Sequence, residues 1–430
     1  MKIIFALLIF SAVVLFHELG HFLLAKKNGI EVLEFSLGMG PRLFHTEKGG
    51  TIYSLKLFPL GGSCMMAGED EEDDSPGSFH SAGVWGRFCV IAAGPVFNFI
   101  LAFLFSLVIV GLVGYIPAKV RTVEQDSPAY ESGLREGDLI TEFNGYHIDI
   151  SDDLNIYLNA VGMPQEQIQM KVKRDGQEIS ISYEPQYQTK YLLGFNRSAV
   201  EDEPLEISSL IKGLPMESTG IQVGDRITAI NGTKIETSGD YDEYLEAHPL
   251  SEQKEVEITY EHRGKETTVS VVPSSYKGVL LGFQYNLSRE KGGVLTTIKY
   301  SLLEVKYWIR TTILSLKELI LGKYSVKDLS GPVGVVNVIG NTYEQSKEEG
   351  TFWVWMNMLN MAILLSANLG VMNLLPIPAL DGGRLIFILI EAIFRRPVNR
   401  KIEGMVHFAG FMLLMALMVF VMYNDIMRLL

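Results

Sequence analysis

Apolar residues run nearly unbroken from position 3 to position 24, and three further stretches, 88–116, 352–380 and 406–424, contain no Asp, Glu, Lys or Arg. Each is near the roughly 20 residues that a helix needs to cross about 30 Å of hydrocarbon. The pattern predicts four membrane-crossing helices. Between the second and third it changes to short runs of alternating character, such as ITEFNG and ITYEHRG, set off by Gly, Asn and Asp as strands and turns are. Residues 294–321 return to helical spacing, with Lys and Arg between the apolar positions and Tyr307 and Trp308 among them. Such a helix lies on a membrane surface or packs against the β-rich region. TIYSLKLF, residues 51–58, alternates again and is followed by PLGG, predicting a strand and turn between the first two spans.

The β-rich region is a duplication. PAYESGLREGDLITEFNG, starting at Pro128, and PMESTGIQVGDRITAING, starting at Pro215, share Pro, Gly, Gly-Asp, Ile-Thr and Asn-Gly at an offset of 87, and YLLGF at 191–195 returns as VLLGF at 279–283, offset by 88. A shared offset over separate features marks a repeated module of about 85 residues. The repeats resemble PDZ domains of the circularly permuted bacterial type, with 133–145 and 220–232 as the signature segments. PDZ modules bind an extended chain end by adding it to a sheet edge, so the resemblance implies contact with a polypeptide. The bare alternative, two β modules acting only as a steric cap, stays open.

Charge separates the same regions. The 430-residue chain is 47% hydrophobic and carries a net charge of −13, and residues 118–292 hold 17 Lys and Arg against 30 Asp and Glu, which accounts for all of that charge. No basic patch for nucleic acid is present in this acidic insert. Lys26, Lys27, Arg42, Lys48, Lys56 and Arg87 lie between spans one and two, and Arg395, Arg396, Arg400 and Lys401 between spans three and four. The positive-inside tendency places both loops in the cytoplasm, and both termini and the β-rich insert outside. The acidic run from Glu69 to Asp74 reads as a solvated loop. His17, Glu18 and His21 interrupt the first apolar run, so it is kept as a span and not as a removable signal peptide. Cys64 and Cys89 make no disulfide framework.

Candidate chemistry sits inside the apolar segments. In LFHELGH, His17 and His21 are four apart, on one helical face, where two imidazoles can share a tetrahedral zinc ion. Glu18 lies beside that face, placed to take a proton from water. An ionisable residue near mid-membrane costs on the order of 2.5–3.5 kcal/mol, which demands a compensating role; the plain alternative is a polar helix-packing cluster. A catalytic zinc site needs a third protein ligand. NLLPIPALDGG, running from Asn373, breaks a helix at Pro376 and Pro378 and carries Asp381, the candidate third ligand. Asp381 also suits the N-cap of the following half-helix. Asn373 either bonds a broken-helix carbonyl or holds substrate near the metal.

Together, His17-Glu18-x-x-His21, the segment from Asn373 to Gly383, the two PDZ-like repeats and AGPVFN, which ends at Asn98, resemble the site-2 protease family in its bacterial regulator-of-sigma-E protease (RseP) type, across essentially the whole chain. The resemblance implies an α-helical polytopic membrane protein with two extracytoplasmic PDZ-like domains. It implies intramembrane zinc proteolysis, with His17, His21 and Asp381 as Zn2+ ligands, Glu18 as catalytic base, and Asn373 and Asn98 in substrate binding or positioning. It also implies a membrane-dipping hairpin between the first two spans and substrates that are single-span proteins or peptides, such as anti-sigma factors or signal-peptide remnants. The expected divisions are an N-terminal membrane half (1–116), PDZ-like modules (117–200 and 201–290), an amphipathic linker (291–350) and a C-terminal membrane half (351–430). Two rivals from other classes are a non-enzymatic membrane-anchored PDZ adaptor, which needs Glu18 for nothing, and an ion transporter, which needs ionisable residues along a pore, where spans two and four offer none apart from His407 at the edge of span four.

Overall fold

A computed structural model describes residues 2–69, 75–197, 202–251, 254–285, 288–323 and 329–429. Residues 70–74 of the acidic run lie outside these. The chain divides into two compact units, one formed by Met1–Pro117, Asp149–Ile156 and Leu287–Leu430, the other by Ala118–Ile148 and Tyr157–Asn286.

The first unit begins with α1 (Lys2–Lys27), β1 (Val32–Lys48), β2 (Thr51–Met66) and α2 (Val84–Val113). Gly49 and Gly50, at φ +60° and +72°, turn the chain between β1 and β2 with the conformation a two-residue hairpin favours. Both strands then curl, so that Phe35 pairs with Tyr53 and also with Cys64, and Leu37 with Leu55 and also with Gly62. The chain must reverse between 55 and 62 to reach both sides of residues 34–37, which is where PLGG falls. Glu34 pins the curl: Arg42 Nε donates to its carboxylate at 2.8 Å, and Ser54 and Lys56 add to it. The Arg42 hydrogen bond, foremost among these, holds the Glu34 carboxyl down to about 2.

Four of the described helices are long and apolar enough to cross a membrane, residues 3–27, 84–113, 351–373 and 400–427. The last two belong to α8 (Thr351–Asn373) and α10 (Arg400–Leu429). The third apolar stretch thus yields a helix ending at Asn373, and Asp381 opens a separate 14-residue helix, whose range is Asp381–Phe394. Pro376 and Pro378 lack the N–H groups a continuous helix requires. Phe5, Ala6, Ile9 and Val13 of α1 pack against Val354, Met358 and Ala362 of α8, while Ala102 and Ile109 of α2 meet Ile363 and Ala367. The amphipathic helix α6 (Val294–Ile320) lays Val305 and Trp308 on that α2–α8 core, while its Lys306 and Arg310 pair with Asp149 and Asp153. A further helix, α7 (Pro332–Glu349), joins it to α8.

In the β-rich stretch of the chain from Val120 to Tyr285 every element recurs. Its first copy is β3 (Val120–Val123), α3 (Pro128–Glu131), β4 (Leu139–Phe143), β5 (Tyr146–His147), α4 (Ser151–Ala160), β6 (Ile168–Arg174), β7 (Gln177–Tyr183), β8 (Gln186–Leu192) and β9 (Phe195–Arg197). The second is β10 (Ile207–Leu210), a 3-10 turn at Pro215–Ser218, β11 (Arg226–Ile230), β12 (Thr233–Lys234), α5 (Ser238–Ala247), β13 (Val256–His262), β14 (Lys265–Val271), β15 (Ser274–Leu280) and β16 (Phe283–Tyr285). The four-stranded sheets β5-β4-β6-β7 and β12-β11-β13-β14 match strand for strand. Asn144 and Asn231, each with φ near +47° and followed by Gly, make the matching turns.

The copies exchange strands. β9, at the end of the first, pairs with β10 of the second, and β16, at the end of the second, pairs with β3 of the first. β8 pairs antiparallel with β15, and Thr189 lies opposite Lys277, its own counterpart 88 positions on. An antiparallel pair centred on equivalent residues is a local two-fold axis. Replacing Thr189 and Lys277 by Cys, with Cys64 and Cys89 changed to Ser, is therefore expected to give an intramolecular disulfide on oxidation, seen as a mass loss of one hydrogen pair. Free thiols after exhaustive oxidation would contradict this pairing.

Candidate metal centre

The site starts from two glycines. At Gly20 of α1 an added Cβ would lie 2.4 Å from the Ala93 carbonyl oxygen, so only glycine lets α1 press onto the backbone of α2. At Gly94 of α2 an added Cβ would lie 2.4 Å from His21 Nε2 and 2.7 Å from His17 Cε1. The missing side chain is the space the imidazoles occupy.

His17 and His21 are buried one helical turn apart, with their Nε2 atoms 3.2 Å from each other. Asp381 arrives from its own helix. The N-cap position belongs to Leu380, so Asp381 is not the cap; its carboxylate turns to the imidazoles, Oδ2 lying 3.2 Å from His17 Nε2 and 3.5 Å from His21 Nε2. Gly382 and Gly383 bring that helix start against the preceding loop, an added Cβ falling 2.1 Å from the Leu375 oxygen and 2.5 Å from the Ile377 oxygen. Ala379 in the loop has φ +77°, a left-handed conformation that costs roughly 1–2 kcal/mol in a residue with a Cβ.

The three donor atoms fit zinc. Four ligands at about 2.0–2.1 Å in a tetrahedron lie about 3.3–3.4 Å apart, matching the edges of 3.2, 3.2 and 3.5 Å. Asp381 Oδ2 is buried without a hydrogen-bond partner, so no correctly aligned N–H reaches it despite its nearness to both rings. Lone pairs converging on one point are what a cation satisfies. The rings are oriented from behind: His21 Nδ1–H donates to the Val90 carbonyl at 2.9 Å, which leaves Nε2 as the acceptor. Behind His17, the buried Asn98 amide lies 3.2 Å from Nδ1, and its Oδ1 has no partner. With the amide rotated end for end, Oδ1 accepts from Nδ1–H, the arrangement a metal-bound His17 requires. Ser366 Oγ fixes the same turn of α2 by donating to the Asn98 carbonyl at 2.8 Å.

Asn373, the last residue of α8, places Nδ2 3.3 Å from His17 Nε2. Glu18 is half-buried and shares with the three ligand candidates a cavity of about 600 Å³. Gly62, Ser63, Cys64 and Met66 of β2 form one wall of it, and an added Cβ on Gly62 would lie 3.2 Å from Glu18 Cγ. All six residues singled out in the sequence thus come to one place. Glu69 is not solvated as the acidic run suggested: it pairs with Arg384, one turn beyond Asp381, and both line the cavity. His407 of α10 lines it too. Sequence reasoning noted it only as a histidine at the edge of the fourth span, because nothing local relates it to Asp381.

An ion pair ties the helix that Asp381 begins to the second span. Glu391, ten residues beyond Asp381, pairs with Arg87 at 2.6 Å, and Arg87 stands seven residues before Gly94. The two helical paths, about 15 Å and about 10 Å, differ by about a turn.

A family model described as peptidase family M50 matches residues 5–417. A protein of Geobacillus kaustophilus named zinc metalloprotease RasP is 33% identical over 99% of this chain and 98% of its own. The zinc metalloprotease RasP of Bacillus licheniformis is 32% identical over 98% of each chain, and the regulator of sigma-W protease RasP of Bacillus subtilis is 30% identical over 98% of this chain and 97% of its own. Among solved structures, the HtrA3 PDZ domain bound to a phage-derived ligand aligns with 22% of this chain and 93% of its own at 16% identity and a TM-score of 0.18, a likeness too slight to carry weight. With the family match and the relatives both running through nearly the whole chain, and a ligand set that suits zinc, this chain belongs to peptidase family M50 and is a membrane zinc metalloprotease.

Proposed function

We propose that this protease hydrolyses membrane-spanning segments of single-span proteins and peptides below the lipid surface, with zinc held by His17, His21 and Asp381. The triangle of two Nε2 atoms and one carboxylate oxygen, with edges of 3.2–3.5 Å, carries the reading. Zinc, when bound, lowers the pKa of a coordinated water toward 7 and polarises the scissile carbonyl. Glu18, on the cavity wall beside the ligands, takes the proton from the attacking water and passes it to the leaving nitrogen. Asn373, whose amide lies 3.3 Å from His17 Nε2, donates that amide to the substrate carbonyl. Asn98 keeps His17 in the ligating tautomer.

A peptide bond inside a helix is masked by its own hydrogen bonds, so the substrate has to be unwound. Among the described residues, 62–65 pair with residues 34–37 on one side only, and Gly62, Ser63 and Cys64 of that segment line the cavity. An extended substrate segment adds to that edge and brings its backbone past Glu18. The basic loops put the site on the cytoplasmic side of a bacterial plasma membrane, with both termini and the two PDZ-like modules outside. Those modules screen substrates by the size or the chain end of their extracytoplasmic part. Anti-sigma factors and signal-peptide remnants are substrates of this form.

Purified protein incubated with single-span peptides in detergent tests this. Glu18→Gln is expected to keep its zinc and to lower the cleavage rate by about 10²–10⁴-fold. His21→Ala and Asp381→Ala are expected to lose both zinc and cleavage, as is the unchanged protein with a chelator. Cleavage retained by Glu18→Gln would remove the mechanism. A substitution outside the ligand set tests the packing. Gly94→Ala drives a methyl into both imidazoles, whereas Gly111→Ala, whose Cβ meets nothing closer than Thr297 at 4.0 Å, does not. Helix propensity favours both changes by about 1 kcal/mol. Zinc measured by elemental mass spectrometry is expected to fall well below one ion per chain in Gly94→Ala alone; equal zinc in the two variants would contradict the geometry.

A further inference from the structure

Seven residues, Leu374–Leu380, separate the end of α8 from Asp381, and their shape decides where that carboxylate points. Ala379 holds a left-handed φ of +77° that glycine would adopt more readily. Its N–H leaves the loop and donates to Nδ1 of His407, on α10, at 2.9 Å. One turn along the same face, Gly410 lies directly on the neighbouring loop residue: a Cβ there would be 2.5 Å from the Pro378 Cβ and from its carbonyl oxygen. The His407 ring also packs at 5.5 Å from Phe387, on the helix that Asp381 begins. The fourth span therefore grips two consecutive loop residues, just before the carboxylate. Over most of its length it is otherwise open, with 11% of its apolar window buried. Its far end has one more polar anchor, where the Asp425 carboxylate accepts the Gly331 and Gly334 N–H groups at 3.1 and 2.8 Å.

We propose that His407 is a positioning residue for Asp381: by accepting the Ala379 N–H, it holds the loop in the shape that aims the carboxylate at His17 and His21, so the seating of the fourth span sets metal affinity. His407 acts with its proton on Nε2 and its Nδ1 lone pair toward the loop. Gly410 gives α10 the close approach that this hydrogen bond needs. The inference rests on the proposed role of Asp381 as a ligand.

Cobalt titration of the full-length, metal-stripped protein in detergent, followed by its visible absorption, separates the two. His407→Leu removes the acceptor, and His407→Asn restores one, because the Asn Oδ1 falls where Nδ1 was. His407→Leu is expected to weaken Co2+ binding about 10–100-fold and to shift the absorption bands. His407→Asn is expected to stay near the unchanged protein in both. Unchanged affinity and spectrum in His407→Leu, or equal losses in the Leu and Asn variants, would overturn the inference. Asp381→Ala in the same series addresses the ligand role: if it bound Co2+ as the unchanged protein does, the reading of the metal centre would fail whatever His407 showed.

Discussion

Two imidazole nitrogens and a carboxylate oxygen, all within 3.5 Å of one another and largely shut away from water, form an arrangement that electrostatics opposes unless a cation joins them. Lone pairs directed at a common point gain nothing from each other. The rest of the first unit is organised around keeping them there. Gly20 and Gly94 close the gap between the first two spans, and the Val90 carbonyl turns one ring. Gly382 and Gly383 press the Asp381 helix onto its own loop. A bulkier residue at any of these places meets backbone or a ligand ring, so a handful of absent side chains fixes the metal geometry.

Hydrolysis in a membrane poses two further problems, water supply and a masked peptide bond. The cavity beside Glu18 is walled partly by polar and charged groups, among them Ser63, Glu69 and Arg384, which suits water where lipid would exclude it. Its other wall is a strand edge. The curled β1–β2 ribbon is therefore more than a connection between spans, since it brings a strand edge to within a side chain of Glu18. The fourth span, gripping the loop before Asp381, closes the same cavity from another direction.

How much of this could be read from residues alone follows from distance along the chain. His17, Glu18 and His21 were legible because a helix relates neighbours four apart whatever surrounds it. Asp381 was legible because a carboxylate after two prolines in an apolar stretch has few other uses, although only the Arg87–Glu391 pair shows how its helix meets the second span. The duplication was legible as an offset of 87 to 88, but not the exchange of β9 and β16 between the copies, since strand partners so far apart leave no local pattern. The same reason hid β1, the double pairing of Phe35, and His407, whose partner is 28 residues away. The amphipathic helix showed its two faces in sequence, while its choice of α2 and α8 as partners depended on the packed spans.

The central claim is the identity of the atoms that hold the metal. X-ray absorption at the zinc edge of the purified, full-length protein reads them directly. The account predicts two imidazoles with oxygen completing the shell, all at about 2.0–2.2 Å. Cys64 lines the same cavity, so a sulfur neighbour at about 2.3 Å, or a shell with no imidazole in it, would contradict the account.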